Sequence, residues 1–140
     1  MPLQHWLVKQ EPEDFSWDQF TREKVAAWTG VRNFAARIHL RGMKKGDLVM
    51  YYHTGDEKQV VGIAKVSKAA YPDPTREEGE WVAVDLVPVE PLRRPVTLAA
   101  IRADPTLNQT PLVKQTRLSV MPLTPKEFAR MQELSKPGAT

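Results

Sequence analysis

The feature that most constrains the fold is a series of short strand-like segments with turns, and no helices, between them. Residues 48–53, 59–67 and 81–89 are rich in β-branched and aromatic side chains. Thr54-Gly55-Asp56 is a turn signal, so the first two segments are predicted to form a hairpin. A parallel sheet would need helices alternating with strands, and the chain has no such alternation. We therefore predict an α+β domain with a curled or closed sheet.

The other predicted elements surround this series. In chain order they are a strand over residues 3–9, a helix from Ser16 to about Ala27, a helix from Phe34 to Arg41, a helix from Thr97 to Ala103, a strand over residues 118–121 and a helix from Thr124 to about Leu134. Each helix begins at or just after a serine, threonine or asparagine, whose side chain can accept a hydrogen bond from a free N–H group at the helix start. Gly62 within a strand segment predicts a bulge or a close approach by another group.

The helix over residues 34–41 receives two further predictions. Phe34 and Ile38 are four positions apart and are predicted to face the core, with Asn33 as the N-cap. Gly42 is predicted to end the helix in the left-handed conformation. Trp17, on the preceding amphipathic helix, is predicted to serve packing.

Length and composition limit the classes of protein that the chain can belong to. With 140 residues, 41% of them hydrophobic, it is predicted to be one domain over residues 1–140. The absence of cysteine excludes disulfides, thiolate catalysis and zinc–thiolate sites, and the three histidines are far apart in sequence. No stretch approaches the roughly 20 apolar residues of a membrane span. We expect a monomeric, soluble, cytoplasmic protein without a metal ion or cofactor.

The positive charge is distributed unevenly. The net charge of +3 alone would suit an enzyme as well as a nucleic-acid-binding protein. Between Lys24 and Asp47, however, there is no carboxylate, and a second acid-free run extends from Pro105 to Lys126. These stretches are either solvated faces or surfaces that meet phosphate.

Several segments, in order, resemble a known family. They are Trp6-Leu7-Val8-Lys9-Gln10-Glu11-Pro12, Trp28-Thr29-Gly30-Val31-Arg32-Asn33, Gly46-Asp47, Tyr51-Tyr52-His53, Val61-Gly62-Ile63, Tyr71-Pro72-Asp73-Pro74-Thr75, Trp81 and Arg117-Leu118-Ser119-Val120. This pattern resembles the EVE domain from about Trp6 to Val120. One departure is Gln10, where many relatives have serine before Glu-Pro, so a side-chain contact at that position would differ.

The resemblance implies a fold and a function. The fold would be a PUA-like mixed β-barrel of five to six strands flanked by short helices, related to the YTH and ASCH domains. The function would be to bind DNA or RNA by holding a modified, flipped-out base, such as a methylated cytosine or adenine, in a concave site. Small stand-alone copies without an added basic N-terminal tail resemble bacterial members of the family, so we expect a bacterial protein. Which nucleic acid and which base modification are bound stays open at this point.

A base read outside its duplex needs aromatic surface to replace the lost stacking, and fixed donors and acceptors for its edge. By resemblance and residue chemistry, the predicted base-binding residues are Trp6, Lys9, Gln10, Glu11, Pro12, Trp28, Val31, Asn33, Tyr52, His53, Asp73, Trp81, Leu118 and Ser119. The predicted phosphate-binding residues are Arg32, Arg37, Arg41, Lys44 and Arg117.

Each of these residue types also has a structural interpretation. The tryptophans can be core residues, and Asn33 can act only as a helix cap. Arginines can pair with Glu11, Asp47 or Asp73. His53 is more typical of a hydrogen-bonded strand histidine than of an acid or base.

Two other functions compete with base recognition. Lys9 and Glu11 could activate water in a hydrolase acting on a modified nucleobase or nucleoside, although a structural ion pair is favoured for them. The pocket could also belong to a domain that binds a protein or a small ligand. No catalytic residues are predicted.

Overall fold

One mixed sheet of six strands, with six short helices, makes up the part of the chain that the computed structural model describes, residues 3–75 and 78–136. The elements are β1 (His5–Gln10), α1 (Pro12–Phe15), α2 (Trp17–Glu23), β2 (Ala26–Trp28), α3 (Phe34–Gly42), β3 (Leu48–His53), β4 (Gln59–Pro72), β5 (Val82–Thr97), α4 (Leu98–Ala103), α5 (Pro111–Lys114), β6 (Val120–Leu123) and α6 (Pro125–Leu134). The predicted α+β class and strand number are confirmed.

The strand order is β2-β5-β4-β3-β1-β6. β1 and β3 are parallel, with Val8 opposite Tyr51, and all other neighbours are antiparallel. The hairpin predicted around Thr54-Gly55-Asp56 is the β3–β4 pair. The first strand of the chain therefore lies inside the sheet, between β3 and β6.

Adjacent residues of β1 point to opposite faces of the sheet, because side chains alternate along a strand. Gln10 pairs with His53 and shares a face with Tyr51. Lys9 pairs with Tyr52, on the opposite face. The side chains of Lys9 and Gln10, although consecutive in the motif, therefore lie on opposite faces of the sheet.

Tyr51 is the centre of an aromatic cluster on its face of the sheet. Its ring stacks on Phe20 at a centroid distance of 5.3 Å and meets Trp17 and Trp28 edge-on at 5.5 and 5.6 Å. Its hydroxyl donates to the Phe15 carbonyl oxygen at 2.7 Å, and burial raises the pKa of this phenol. Because all four rings pack together, α2 and β2 are fixed against the sheet.

Gly62 lies under the indole of Trp17. A Cβ at this glycine would be 2.5 Å from the Trp17 ring, and the β3–β4 pairing shifts register beside it. The predicted bulge or close approach is confirmed, as is the packing role of Trp17, which is 7% exposed.

The orientation predicted for α3 is wrong. Phe34 and Ile38 are 66% and 65% exposed, whereas Ala36 and Leu40 are completely buried. Both pairs have the four-residue spacing of one helix face, so spacing alone could not choose between them. The smaller pair faces the core because this allows the helix to approach the sheet closely.

The role predicted for Gly42 is also wrong. This residue is the last of α3, Met43 is the C-cap in an extended conformation, and Gly42 does not have a positive φ. A Cβ at Gly42 would lie 3.2 Å from the Trp6 ring. The glycine therefore provides room for a buried tryptophan.

Several boundaries differ from prediction. β4 and β5 continue to Pro72 and Thr97, beyond the predicted residues 67 and 89. α2 ends at Glu23, where Lys24 has φ 69°, and the next residues form β2, which pairs with β5. Such a three-residue strand has too short a pattern to be recognised. The last strand begins at Val120, not at residue 118.

The predicted helix caps are confirmed. Asn33, Ser16 and Thr97 accept hydrogen bonds from the N–H groups of Ala36, Gln19 and Ala100, and Thr124 forms a capping box with Glu127. Within the described residues, no helix has the length and apolar character needed to cross a membrane.

Candidate nucleic-acid interface

A cavity of about 300 Å³ lies at the N-terminus of α3 and is called the Asn33 cavity here. It is lined by Asn33, Ala35, Gln115, Thr116, Arg117 and Leu118. Asn33 Oδ1 accepts the Ala36 N–H at 3.0 Å, and no described residue accepts a hydrogen bond from its Nδ2. Asn33 therefore caps the helix while its NH₂ group remains available to a ligand.

The other side of the Asn33 cavity is formed by residues 115–118, and the residue that follows them is hydrogen-bonded to β1. Arg117 is exposed and Leu118 is buried. The Ser119 carbonyl oxygen accepts the Lys9 N–H at 2.9 Å. The structure thus brings Asn33, Arg117 and Leu118 together, with Ser119 joining their wall to β1.

Asp73 holds the loop between β2 and α3. One carboxylate oxygen accepts the Gly30 N–H at 2.8 Å and a guanidinium N–H of Arg32 at 2.9 Å. The other accepts the Thr75 N–H at 2.8 Å and its hydroxyl at 2.6 Å. Gly30, with φ 78°, has a backbone conformation that favours glycine. Asp73 is predicted from the sequence to contact the base, but its oxygens are occupied by protein donors, so it is a positioning residue.

The electrostatics of Asp73 follow from these contacts. Burial by itself raises the pKa of this carboxyl group, but the hydrogen bonds from Thr75, Gly30 and Arg32 outweigh it and bring the pKa well below its usual range. The group is therefore ionised at neutral pH. Its ion pair with Arg32, one of the predicted structural alternatives, is confirmed.

A second cavity, of about 260 Å³, lies on the Tyr51 face of the sheet and is called the Trp28 cavity. It is lined by Gln10, Phe15, Glu23, Val25, Ala26, Ala27, Trp28 and Thr29. Trp28 is only 6% exposed and forms its inner wall, and Gln10 Oε1 accepts the Glu11 N–H at 3.1 Å. Two predicted base-binding residues therefore meet here. The loop that follows Trp28 connects this cavity to the Asn33 cavity.

A third cavity, of about 270 Å³, lies on the opposite face and is called the Lys9 cavity. It is lined by Lys9, Tyr52, Thr54, Gly55, Lys58, Leu98, Arg102, Leu112 and Thr116. Lys9 Nζ donates to the Thr116 carbonyl oxygen at 2.8 Å, and burial lowers the pKa of this lysine. Lys9 and Tyr52 thus lie on the opposite face of the sheet from Gln10 and Trp28.

The ion pair predicted between Lys9 and Glu11 is wrong. Glu11 Oε1 instead accepts the Thr54 hydroxyl at 2.6 Å, while Lys9 is bonded to Thr116. Among the described residues, neither of the two forms an ion pair. The arrangement therefore offers no lysine–carboxylate pair to activate water.

Two other predicted base-binding residues are inside the protein. Trp6 is 5% exposed, and its Nε1–H donates to Asp47 at 2.9 Å. His53 is 6% exposed: its Nε2 accepts the Trp17 N–H at 3.0 Å, and its Nδ1 lies 2.9 Å from Glu57. Because all their polar ring atoms have protein partners, both residues have the structural interpretation that the sequence left open.

Arginines and aromatic rings form a surface beside the Asn33 cavity, called the α3 surface and consisting of Arg32, Phe34, Arg37, Ile38, Arg41 and Trp81. The guanidinium carbon of Arg37 lies 5.0 Å from the Phe34 ring centre and 4.8 Å from that of Trp81, and Arg32 lies 5.5 Å from Trp81. Arg37 and Arg41 donate to the carbonyl oxygens of Gly79 and Glu80. Trp81 therefore supports cations at the surface.

Sequence reasoning missed Phe34 as a surface residue. An aromatic residue in the first turn of a helix with several arginines can indicate a surface that binds a partner. The four-residue spacing of Phe34 and Ile38 instead favoured a core position for both. Of the remaining predicted residues, Pro12 begins α1, Val31 packs against the core, and Lys44 lines a separate cavity near Leu3.

The whole domain matches one protein family. The model of the EVE domain family matches residues 4–134. The chain belongs to this family.

Solved members of the EVE domain family have the same fold. A protein from Rhodopseudomonas palustris is 44% identical, with a TM-score of 0.91 over 95% of this chain and 93% of that one. The human THYN1 protein, in complex with DNA containing 5-methylcytosine, is 30% identical, with a TM-score of 0.89 over 95% of this chain and 98% of that one.

Curated relatives are longer than this chain. Thymocyte nuclear protein 1 of Gallus gallus is 33% identical over 158 residues, which cover 89% of this chain and 65% of the chicken protein. The match thus leaves about a third of the relative's length unpaired.

Proposed function

We propose that this EVE domain binds DNA and holds a modified, flipped-out base, with 5-methylcytosine as the first candidate. The observation that carries the proposal is the Asn33 cavity, which Asn33 and Arg117 both line at the N-terminus of α3. The likeness to the human THYN1 protein in complex with 5-methylcytosine-containing DNA supports the choice of ligand.

The chemistry of the site suits an extruded cytosine. Its edge presents O2 and N3 acceptors, which the Asn33 NH₂ group can bind, and free N–H groups at the start of α3 favour an electron-rich edge or a phosphate. Arg117 can bind a backbone phosphate.

Titration of matched oligonucleotides tests the proposal. Duplexes of one sequence carrying 5-methylcytosine, unmodified cytosine or N6-methyladenine, and an RNA of that sequence, would be titrated at one fixed salt concentration. We expect the 5-methylcytosine duplex to bind about 10-fold more tightly than the unmodified one. Equal affinity for all duplexes would contradict modified-base recognition, and preference for the RNA would contradict the assignment to DNA.

Substitutions separate the role of Asn33 in binding from its role in capping. Asn33→Ser retains a capping oxygen but removes the NH₂ group, so we expect nearly unchanged stability and about a 10-fold loss of affinity for the modified duplex. Arg117→Ala should weaken binding to all duplexes to a similar extent. Arg93→Ala, an exposed arginine of β5, is the matched control and should change affinity less than about two-fold.

A further inference from the structure

Phe34 and Ile38 are unusually exposed. Among the described large hydrophobic residues they have the greatest exposure, 66% and 65%, against 51% for the next, Val25. They lie four positions apart, on one face of α3. Adjacent exposed apolar side chains of this kind mark an interaction surface more often than isolated ones do.

Phe34 is exposed yet supported from behind. Its ring centre lies 5.3 Å from that of Trp81, with the two planes 31° apart, and Arg37 lies 5.0 Å from the Phe34 ring. Arg37 is itself held by the Gly79 carbonyl oxygen at 2.6 Å. Because Trp81 and Arg37 hold the Phe34 ring in this position, the ring stays exposed and can contact a partner.

The charge around Phe34 indicates the kind of partner. Arg37 and Arg41 are on the same helix, and the chain has no carboxylate between Lys24 and Asp47. Phe34 directly follows Asn33 and precedes Ala35, both of which line the Asn33 cavity. An apolar wedge between arginines and next to a cavity is complementary to a DNA duplex whose backbone runs along the arginines.

We propose that Phe34 enters the base stack and fills the space left by the base that occupies the cavity, with Ile38 contacting the neighbouring step. This inference rests on the proposed function, because it takes the cavity as the place where the extruded base is held. Insertion of an apolar side chain replaces the stacking that the duplex loses, and thereby stabilises the extruded state.

The wedge can be tested with Phe34→Ala in the full chain. The 5-methylcytosine oligonucleotide would be titrated both as a duplex and as a single strand, because only the duplex contains a closed stack with a gap to fill. We expect Phe34→Ala to weaken duplex binding about 10-fold and single-strand binding less than about three-fold. Phe34→Trp should retain duplex affinity, and Val89→Ala, another exposed apolar residue, should change neither.

A second readout reports on the stack directly. With 2-aminopurine next to the modified base, the wild-type protein should change the fluorescence of the duplex, and Phe34→Ala should reduce that change. Equal losses on duplex and single strand, or no loss on either, would overturn the wedge. If the wild type prefers the modified duplex while Phe34→Ala binds it unchanged, only the wedge fails; if the wild type binds modified and unmodified duplexes equally, the proposed function fails first and the wedge with it.

Discussion

The Asn33 cavity and the Lys9 cavity make an instructive comparison, because both contain cations yet their surroundings differ. The Asn33 cavity adjoins the α3 surface, where Arg37 lies over the exposed Phe34 ring and the half-buried Trp81 ring, and Arg37 and Arg41 donate to loop carbonyl oxygens. In the Lys9 cavity, Lys9 is partly buried and bonded to Thr116, with Tyr52 behind it. The first arrangement presents charge outward, whereas the second uses its central lysine to join segments of the fold.

Consecutive residues of the β1 motif line different cavities of the protein. Lys9 and Gln10 are consecutive, but alternation along β1 sends them to opposite faces of the sheet, Lys9 to the Lys9 cavity and Gln10 to the Trp28 cavity. Thr116 lines both cavities, so the segment 115–118 is the wall between them. A cation is therefore a good candidate for DNA binding only where its face of the sheet meets the α3 surface.

The largest loss of stability should come from substitution of Asp73, which holds the loop between β2 and α3 beside the Asn33 cavity and does not line the Lys9 cavity. Asp73→Asn places an NH₂ group among the donors of Gly30, Arg32 and Thr75, so at least one buried donor loses its acceptor. We expect the free energy of unfolding to fall by about 2–3 kcal/mol, measured by urea denaturation at pH 7.

The pH dependence provides the control for this prediction. Because the folded-state pKa of Asp73 lies below its ordinary value of 3.8, its stabilising contribution is complete above that value and is lost as pH falls below it. Wild type should therefore lose stability toward pH 2 more steeply than Asp73→Asn. Parallel pH profiles for the two proteins would contradict the role given to this carboxylate.

An intermediate effect should separate the cations of the two regions. Arg37→Gln and Arg41→Gln should each weaken DNA binding several-fold and reduce the slope of log affinity against log salt by about 1. Lys58→Gln and Arg102→Gln, on the Lys9 side, should leave both affinity and slope nearly unchanged.

Titrations of the four variants at several salt concentrations make the comparison. Each substitution removes one positive charge, so a change in net charge alone would affect all four equally. Equal slopes for the two pairs would therefore remove the distinction between the regions.

The smallest effect should come from Lys9→Met, which keeps the side chain's length but removes its hydrogen bond to Thr116. We expect a loss of about 1 kcal/mol or less in the free energy of unfolding, because burial already disfavours the charged lysine. Affinity for the modified duplex should remain within about two-fold of wild type. A loss of binding comparable to that of Asn33→Ser would indicate that the two cavities act together.

Local signals predicted much of the secondary structure. Caps such as Thr124 and Asn33 satisfy free N–H groups of their own helix, and the turn at Thr54-Gly55-Asp56 joins neighbouring strands. These interactions lie within a few residues of one another. The short β2 strand escaped prediction because it exists only by pairing with β5, more than 50 residues away along the chain.

The candidate site was less predictable than the fold. Residue type identified Asn33 and Arg117, which the structure brings to one cavity. It could not distinguish Trp28, which borders a cavity, from Trp6, whose indole is bonded to a buried carboxylate. That distinction depends on the partner that long-range packing brings to each ring.

By itself, the sequence determined the α+β class, the helix caps and the family, and it named Asn33, Arg117 and Leu118 among the candidate site residues, because these follow from local hydrogen bonding and ordered motifs. Only the tertiary structure decided which face of α3 is buried, which rings are in the core, and that Lys9 lies across the sheet from Gln10. Those outcomes depend on close packing between distant segments. The same packing exposes Phe34 beside Asn33.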